Sequence, residues 1–584
     1  MGPDHRGTPD LTAIVRVVPD VPSFAVDDGF AYAVPDGLSV GVGDIVRIPL
    51  GGRRVRGWVV GPAEPPDARR IRSLIGRSGE VAVFDAALLD TLRWAAQHYV
   101  APLATVLTKA TPPNLPKGRR RPGSDAALRS GPTGSVTVHA APAPWAALVR
   151  ETAAPLLADG HSVVVVAPTW PEAETLIDDL SDGGIPVVVG SSHLSAAALT
   201  HNWVEAATVP GRLVVGTRDV AWWLPPSLGA AVVLDDGRRG LKEKAMPTVH
   251  ARDLLLRRSH TEGFATVITG AVPTPEALAA AGRVVRSGRA WGLVEVVDRG
   301  AAEAGDGTFA RATAAAIRAA VADGRRVFVL THRRGGAQKC ARCRLLRRCA
   351  TCGAAPGTGA TCERCGAVNR ACAGCGGERF EPLSGGVPRL VADAGRLVGG
   401  ERVGDRDDGR EVTVGTERDL VGLTVDLAVV PDADGFVMAP NYRAAEDGLR
   451  TIARAVLSAG GGGGRRAVVQ TLQPEHPAMT ALRRGDAIEF LGDEGRRRAA
   501  LGFPPGGEVM IVEASGLPVE RRSQLGAVIG GRAVVHGPTV IDGTARWYVQ
   551  GPDLRASKVV IRPLVGEWRE AGVRIRVDAD PIDL

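Results

Sequence analysis

All eight cysteines of the chain lie between Cys340 and Cys375, and they form four Cys-x-x-Cys pairs: Cys340/Cys343, Cys349/Cys352, Cys362/Cys365 and Cys372/Cys375. Each pair sits on one tight loop and can present two thiolates to a single ion. Eight thiols in four such hooks are the number needed for two tetrahedral zinc sites with four thiolates each. No cysteine is left for a disulfide elsewhere. Two all-thiolate sites would each carry a net charge of about −2 with Zn²⁺ bound. Arg342, Arg344, Arg347 and Arg348 are placed to offset it. Spacing alone allows either nested or sequential pairing of the hooks.

A chain of 584 residues predicts several domains. Its apolar content of 45% is enough to fill globular cores. The formal net charge is +7, which is compatible with an anionic partner. No apolar run reaches the roughly 18 residues of a membrane span, and Met1–Asp10 carries no hydrophobic signal core, so no membrane association and a cytoplasmic protein are expected.

Residues 11 to 62 read as a small β-rich unit, with strands at Thr12–Val18 and Asp44–Pro49 punctuated by Pro35, Asp36-Gly37 and Gly51-Gly52. Helical periodicity follows over Ala82–Tyr99. A Pro/Arg/Gly-rich stretch, 109–136, reads as a basic linker around Lys117-Gly118-Arg119-Arg120-Arg121. Short β-branched runs then alternate with helical stretches. They are Ser162–Ala167, Arg212–Gly216, Ala230–Leu234 and Ala265–Thr269, then Arg326–Leu330, Glu411–Gly415, Asp426–Val430 and Ala467–Leu472. That alternation predicts βαβ units and parallel sheets. The cysteine block interrupts the second series after its first strand. Strand-like segments at Glu508–Glu513, Ala545–Gln550 and Val573–Val577 close the chain as a small α+β domain.

A zinc insert in the second of two parallel-sheet lobes, behind a β-rich N-terminal unit, resembles the PriA family of bacterial primosomal proteins. The motifs that carry the resemblance are ordered along nearly the whole chain. They are Phe30-Ala31-Tyr32 with Val34-Pro35-Asp36-Gly37, Trp94-Ala95-Ala96-Gln97-His98-Tyr99, Val215-Gly216-Thr217-Arg218, His250-Ala251-Arg252-Asp253, Asn441-Tyr442-Arg443-Ala444-Ala445-Glu446, Gln470-Thr471 through Pro474-Glu475-His476-Pro477, and Val577-Asp578-Ala579-Asp580-Pro581. The resemblance implies a multidomain α/β protein: a β-rich N-terminal 3′-DNA-binding domain with its helix (1–108), a linker in which the winged helix is reduced or absent (109–136), two RecA-like helicase-type lobes (137–300 and 301–504, with the binuclear zinc insert at 338–380), and a C-terminal domain (505–584). It also implies nested zinc sites, one held by Cys340, Cys343, Cys372 and Cys375 and the other by Cys349, Cys352, Cys362 and Cys365.

The family's usual members are ATP-dependent helicases that move 3′ to 5′ on DNA, and this chain departs from that machinery at four places. No G-x-x-x-x-G-K-[ST] phosphate loop occurs in it. The expected place reads Ala141-Pro142-Ala143-Pro144-Trp145-Ala146, where prolines remove N–H donors and Trp145 replaces the lysine. The acidic D-E-x-H motif reads Asp235-Asp236-Gly237-Arg238. The S-A-T-P segment reads Gly270-Ala271-Val272-Pro273, without hydroxyls. The arginine-finger motif expected after Glu446 is absent. An arginine finger is worth roughly 10³–10⁵ in rate. In the first domain, Ala31 replaces an aspartate that the family uses at its 3′-end pocket.

The expectation is therefore a replication-restart protein without helicase activity of its own. It would bind stalled or branched forks and promote primosome assembly and reloading of the replicative helicase. Its partners would be forked DNA, single-stranded DNA-binding protein and other primosome components, and it would act as a monomer with two zinc ions. DNA contacts are expected from Arg53, Arg54, Arg56, Lys117, Arg119, Arg120, Arg121, Arg347 and Arg348, through phosphates and hence salt-sensitive. The alternatives are an ATP-dependent 3′ to 5′ helicase with a divergent nucleotide site, and a zinc-ribbon protein-interaction scaffold.

Overall fold

The structure is a computed structural model that describes residues 14–64, 71–116, 134–182, 184–286, 288–301, 307–332, 338–343, 345, 347–350, 360–361, 367–382, 386–439, 441–460, 466–541 and 543–582. The chain divides into two compact units, one of 1–287 with 491–584 and one of 288–490.

The first unit holds three sheets. Strands Ile14–Pro19, Phe30–Ala33, Ile45–Leu50, Arg53–Pro62 and Gly76–Arg77 form a five-stranded antiparallel sheet. Gly51 and Gly52, both at positive φ, make the tight turn that pairs Leu50 with Arg53 and Arg47 with Arg56. One face of this sheet buries Val17, Tyr32, Val46 and Ile48. The other sends Val18, Ile45 and Trp58 against helices Ala86–His98 and Leu103–Ala110. Asp85 caps the first of these helices by accepting the Leu88 N–H at 2.8 Å.

The second sheet is parallel and seven-stranded. An interior strand, Ser162–Val166, is buried along its whole length, as its unbroken valine run requires. On one side of it lie Leu228–Leu234, Ala265–Thr269, Val136–Ala140 and the exposed edge strand Arg283–Arg286, in that order, and on the other Leu213–Gly216 and Val187–Gly190. The third sheet is antiparallel: Val534–Ile541, Thr544–Gly551, Glu508–Ser515 and Arg574–Ala579, in that spatial order. Helix Arg555–Glu570 packs on one side of it through Ile561, Leu564 and Trp568.

The second unit is built on a six-stranded parallel sheet, with strands in the order Val294–Asp298, Arg466–Thr471, Leu427–Val430, Val327–Leu330, Val412–Gly415 and Val403–Gly404. A two-stranded hairpin, Gln338–Cys340 with Phe380–Pro382, opens and closes the cysteine insert. The lobe boundary moves from 300 to 287. Val294–Asp298 pairs with Arg466–Thr471, Ala290 N–H donates to Gly485 O, and the Trp291 indole donates to Leu482 O at 2.9 Å. The chain is committed to the second unit before residue 300. The second unit likewise ends at Phe490, so 491–504 joins the first unit with the C-terminal domain. Residues 117–133, which include most of the predicted linker, lie outside the described residues. Among the described residues, no helix is long and apolar enough to cross a membrane.

Candidate nucleic-acid interface and metal centre

Cys340, Cys343, Cys372 and Cys375 bring their sulfurs within 4.8 Å of one another. The pairs are cross-hook: Cys340 to Cys375 at 3.5 Å and Cys343 to Cys372 at 3.6 Å. A tetrahedron of thiolates about 2.3 Å from zinc has edges of about 3.8 Å, so this donor set fits the ion. The outer pairing expected from the resemblance is the one the fold assembles. Backbone N–H groups of Cys343 and then Arg342 pull the Cys340 thiol down to about 6 against burial, which favours the ligating thiolate. The Gly374 N–H donates to Cys372 Sγ at 3.4 Å. A Cβ at Gly374 would stand 2.9 Å from Leu345, and one at Gly377 would stand 3.4 Å from the sulfurs of Cys340 and Cys375, so both glycines keep the ligand loop tight. Of the second quartet, buried Cys349 accepts from Asn369 Nδ2 at 3.3 Å. Cys352, Cys362 and Cys365 lie outside the described residues.

The arginines of the insert divide. Arg347 is held inside it, donating to Asn369 O at 2.5 Å with its guanidinium 4.4 Å from the Phe380 ring centroid. Arg342 and Arg348 are exposed, and Arg344 lies outside the described residues.

In the N-terminal sheet, Arg53 and Arg54 are exposed at the Gly51-Gly52 hairpin. Arg56 is committed to Asp20, donating from Nε at 3.0 Å and Nη2 at 2.7 Å. Sequence reasoning passed over Arg47. It stands opposite Arg56 on the same face as Arg54, is exposed, and makes no side-chain hydrogen bond or ion pair among the described residues. The signal was available: a two-residue turn at 51–52 dictates that pairing. Ala31, where the family aspartate is expected, faces Arg16 across the sheet. Lys117, Arg119, Arg120 and Arg121 lie outside the described residues.

The strand-end acids of the parallel sheet are closed off. Asp235 adopts φ 49°, and its carboxylate lies 3.4 Å from Arg238, which also holds Glu172 at 2.8 Å. A Cβ at Gly270 would stand 3.2 Å from Asp235 Cα, so the first position of the old S-A-T-P segment has little room for a side chain. Residues 270–273 lack a hydroxyl as read, and Thr274, just after them, supplies one. Thr274 Oγ1 donates to the fully buried Asp236, and its N–H donates to the same carboxylate at 3.1 Å. Arg252 Nη1 lies 3.2 Å from Asp236 and 2.9 Å from Thr274 Oγ1. Burial works against the Arg252 charge, but the carboxylates of Asp253, Glu276 and Asp236 outweigh it and raise its pKa. Between strand Val136–Ala140 and helix Ala146–Ala158, Ala141 N–H turns back to His139 O and two of the remaining residues are prolines. Trp145 packs against the buried cluster that includes Val149 and Val163. No lysine is there to meet a phosphate.

In the second unit, the arginines of helix Ala444–Ser458 are spent on carboxylates: Arg450 on Glu446 and Asp447 at 2.8 and 2.7 Å, and Arg454 on Glu417 at 2.8 Å.

Three motifs that stand far apart in sequence meet in one node of the first unit. Lys242 Nζ donates to Ala579 O at 2.6 Å and Asp580 O at 3.0 Å, and lies 3.1 Å from the Asp578 carboxylate. Asp580 Oδ2 accepts from His98 Nε2 at 2.7 Å, while Lys558 donates to His98 Nδ1 at 3.2 Å and to Glu508 at 2.6 Å. His250 N–H reaches the Tyr99 hydroxyl at 3.4 Å. Burial alone would raise the Asp580 carboxyl, but His98, Lys558 and Lys242 bring it far below the usual carboxylate range. The Trp94–Tyr99, His250–Asp253 and Val577–Pro581 motifs are therefore parts of one joint.

A family model described as the 3′DNA-binding domain of PriA matches residues 16–112. The "Probable replication restart protein PriA" of Mycobacterium tuberculosis is 29% identical over 493 residues, covering 74% of this chain and 72% of the relative. The chain is similar to replication restart proteins of the PriA family over most of its length. A second PriA, the "Replication restart protein PriA" of Treponema pallidum, is 25% identical and spans 93% of this chain and 95% of its own. Among solved structures, RecG bound to a three-way DNA junction is similar with a TM-score of 0.34 at 12% identity, over 62% of this chain and 44% of that one, a likeness too slight to carry function. The sheet that carries Arg47, Arg53 and Arg54 lies within the residues matched to the 3′DNA-binding domain.

Proposed function

We propose that this chain acts in replication restart by binding stalled or branched forks and serving as a platform for primosome assembly, without hydrolysing ATP. The observation that carries the reading is the match of residues 16–112 to the 3′DNA-binding domain. The commitment of Asp236 to Thr274 and Arg252 supports the second half of it, because a carboxylate so held has no freedom to position a metal-bound triphosphate. Zinc fits the donor set of Cys340, Cys343, Cys372 and Cys375, and we assign a second ion to Cys349, Cys352, Cys362 and Cys365, two per chain. Bound zinc would supply structural cross-linking of the insert. The partners that follow are forked DNA, single-stranded DNA-binding protein and the replicative helicase, met in the cytoplasm by a monomer.

Fork binding titrated across salt, with ATPase measured on the same preparation, tests the proposal. Affinity is expected to fall steeply with salt while ATP turnover stays at background with fork DNA present. DNA-stimulated turnover abolished by Asp235→Ala would overturn it. In the same titration, the triple variant Arg47→Ala, Arg53→Ala, Arg54→Ala is expected to flatten the log–log salt slope by up to about three, since each phosphate contact contributes about 0.9. An unchanged slope would remove this hairpin end of the sheet from the DNA interface.

A further inference from the structure

On the C-terminal sheet, three strands set six polar side chains on one face in two rows. Glu513 stands opposite Arg546 and Arg576, and Ser515 stands opposite Thr544 and Arg574. They line an open cavity of about 560 Å³, the size of a small-ligand site. One carboxylate orients two guanidiniums, with Glu513 3.5 Å from Arg546 Nε and 3.3 Å from Arg576 Nη1. Arg576 also reaches Asp578 at 2.6 Å, which Lys242 already holds from its other side at 3.1 Å. Around this face, three cations, Arg546, Arg576 and Lys242, share the carboxylates of Glu513 and Asp578, and Arg574 adds a fourth positive charge. Arg574 is exposed and makes no side-chain hydrogen bond or ion pair among the described residues, and Arg546 Nε is buried with no hydrogen-bond partner. The hydroxyls of Ser515 and Thr544, 2.8 Å apart, stand beside them.

Planar guanidiniums converging with hydroxyl donors on a cavity short of negative charge match a tetrahedral phosphate oxyanion. We infer that this face binds a phosphoryl group, taken by Arg574 and Arg576 with the hydroxyls of Ser515 and Thr544. The donor of that group is either a free phosphate compound or a phosphodiester of single-stranded nucleic acid. Glu513 acts as a positioning residue for the two guanidiniums it orients.

The test uses the full chain and two probes: inorganic pyrophosphate by calorimetry, and a labelled short oligothymidylate by anisotropy. Arg574→Glu removes a side chain with no structural partner, so its unfolding curve should overlay the wild type. It is expected to weaken binding at least about tenfold, the loss of one charge-assisted contact with repulsion added. Thr544→Val is expected to weaken it less. Loss with pyrophosphate assigns a free phosphate compound, and loss with the oligonucleotide alone assigns the polymer backbone. Either supports the site. If neither probe responds to Arg574→Glu, the inference fails. The triple arginine variant of the N-terminal sheet should keep full pyrophosphate binding, so failure here is separable from failure of the fork-binding proposal.

Discussion

Cys372→Ser is expected to lower bound zinc by one ion per chain and to open the insert while the parallel sheet of the same unit stays folded. Among the described residues, the insert is held by two strands of three residues each, Gln338–Cys340 and Phe380–Pro382, a tight turn at Cys372–Gly376, and the contacts of Arg347 and Asn369. Cys372 lies 3.6 Å from Cys343, on the hook opposite to it, so its loss breaks the cross-link between the two ends of the insert. Apparent zinc binding in small all-protein sites is worth about 10–16 kcal/mol near neutral pH, and most of that is folding free energy. A serine oxygen is a poor substitute for thiolate. The sheet beside it rests on its own buried layer, with Val327, Val329, Val412, Val414, Leu427 and Val429 packed together. Metal analysis should read one ion fewer, limited proteolysis should cut between 338 and 382, and the main thermal transition should move little. Full metal content in the variant would sink the assignment of Cys372 as a ligand.

The parallel strands were readable because burial on both faces leaves continuous β-branched runs. Ala265–Thr269 has the predicted limits, and Ser162–Val166 falls one residue short of them. Strands that lack such a run were missed. Arg53–Pro62 begins Arg-Arg-Val-Arg because that end of the hairpin is in solvent, and Arg283–Arg286 is an exposed edge. Val294–Asp298 alternates with charge, and its partner, Arg466–Thr471, lies far along the chain, so no local pattern announces which sheet it joins. The candidate metal ligands were legible by count, since a hook is a local object. Their nesting was carried by family resemblance, and the fold then brought the outer four sulfurs together. The joint around Lys242 was invisible for the opposite reason. His98, Lys242, His250 and Asp580 have no shared period or spacing, and only tertiary packing shows that three family motifs are one contact.

That joint carries the second large effect. Lys242→Met is expected to destabilise the first unit by about 3–5 kcal/mol, the usual cost of removing one member of a buried charge pair. Lys242 is 5% exposed, and its ammonium is the hydrogen-bond donor to two backbone carbonyls and the near partner of the Asp578 carboxylate. Methionine can fill the stem's volume, so the loss is electrostatic: two carbonyls and a carboxylate that is 8% exposed are left without that cation. Asp580 gives the same joint a pH signature. Its carboxyl is depressed in the folded state, so the folded chain binds fewer protons than the unfolded one as acid is added. The stabilisation is complete above the unfolded value of about 4 and drains away as pH falls toward the lower folded value. Asp580→Asn should therefore lie below the wild type at neutral pH and converge with it in acid. Urea denaturation at pH 7 and through the acid range reads both effects. A Lys242→Met cost under about 1 kcal/mol would mean that the Val577–Pro581 segment is held by its strand pairing alone. An Asp580→Asn deficit that persists undiminished into acid would place the carboxylate outside the joint.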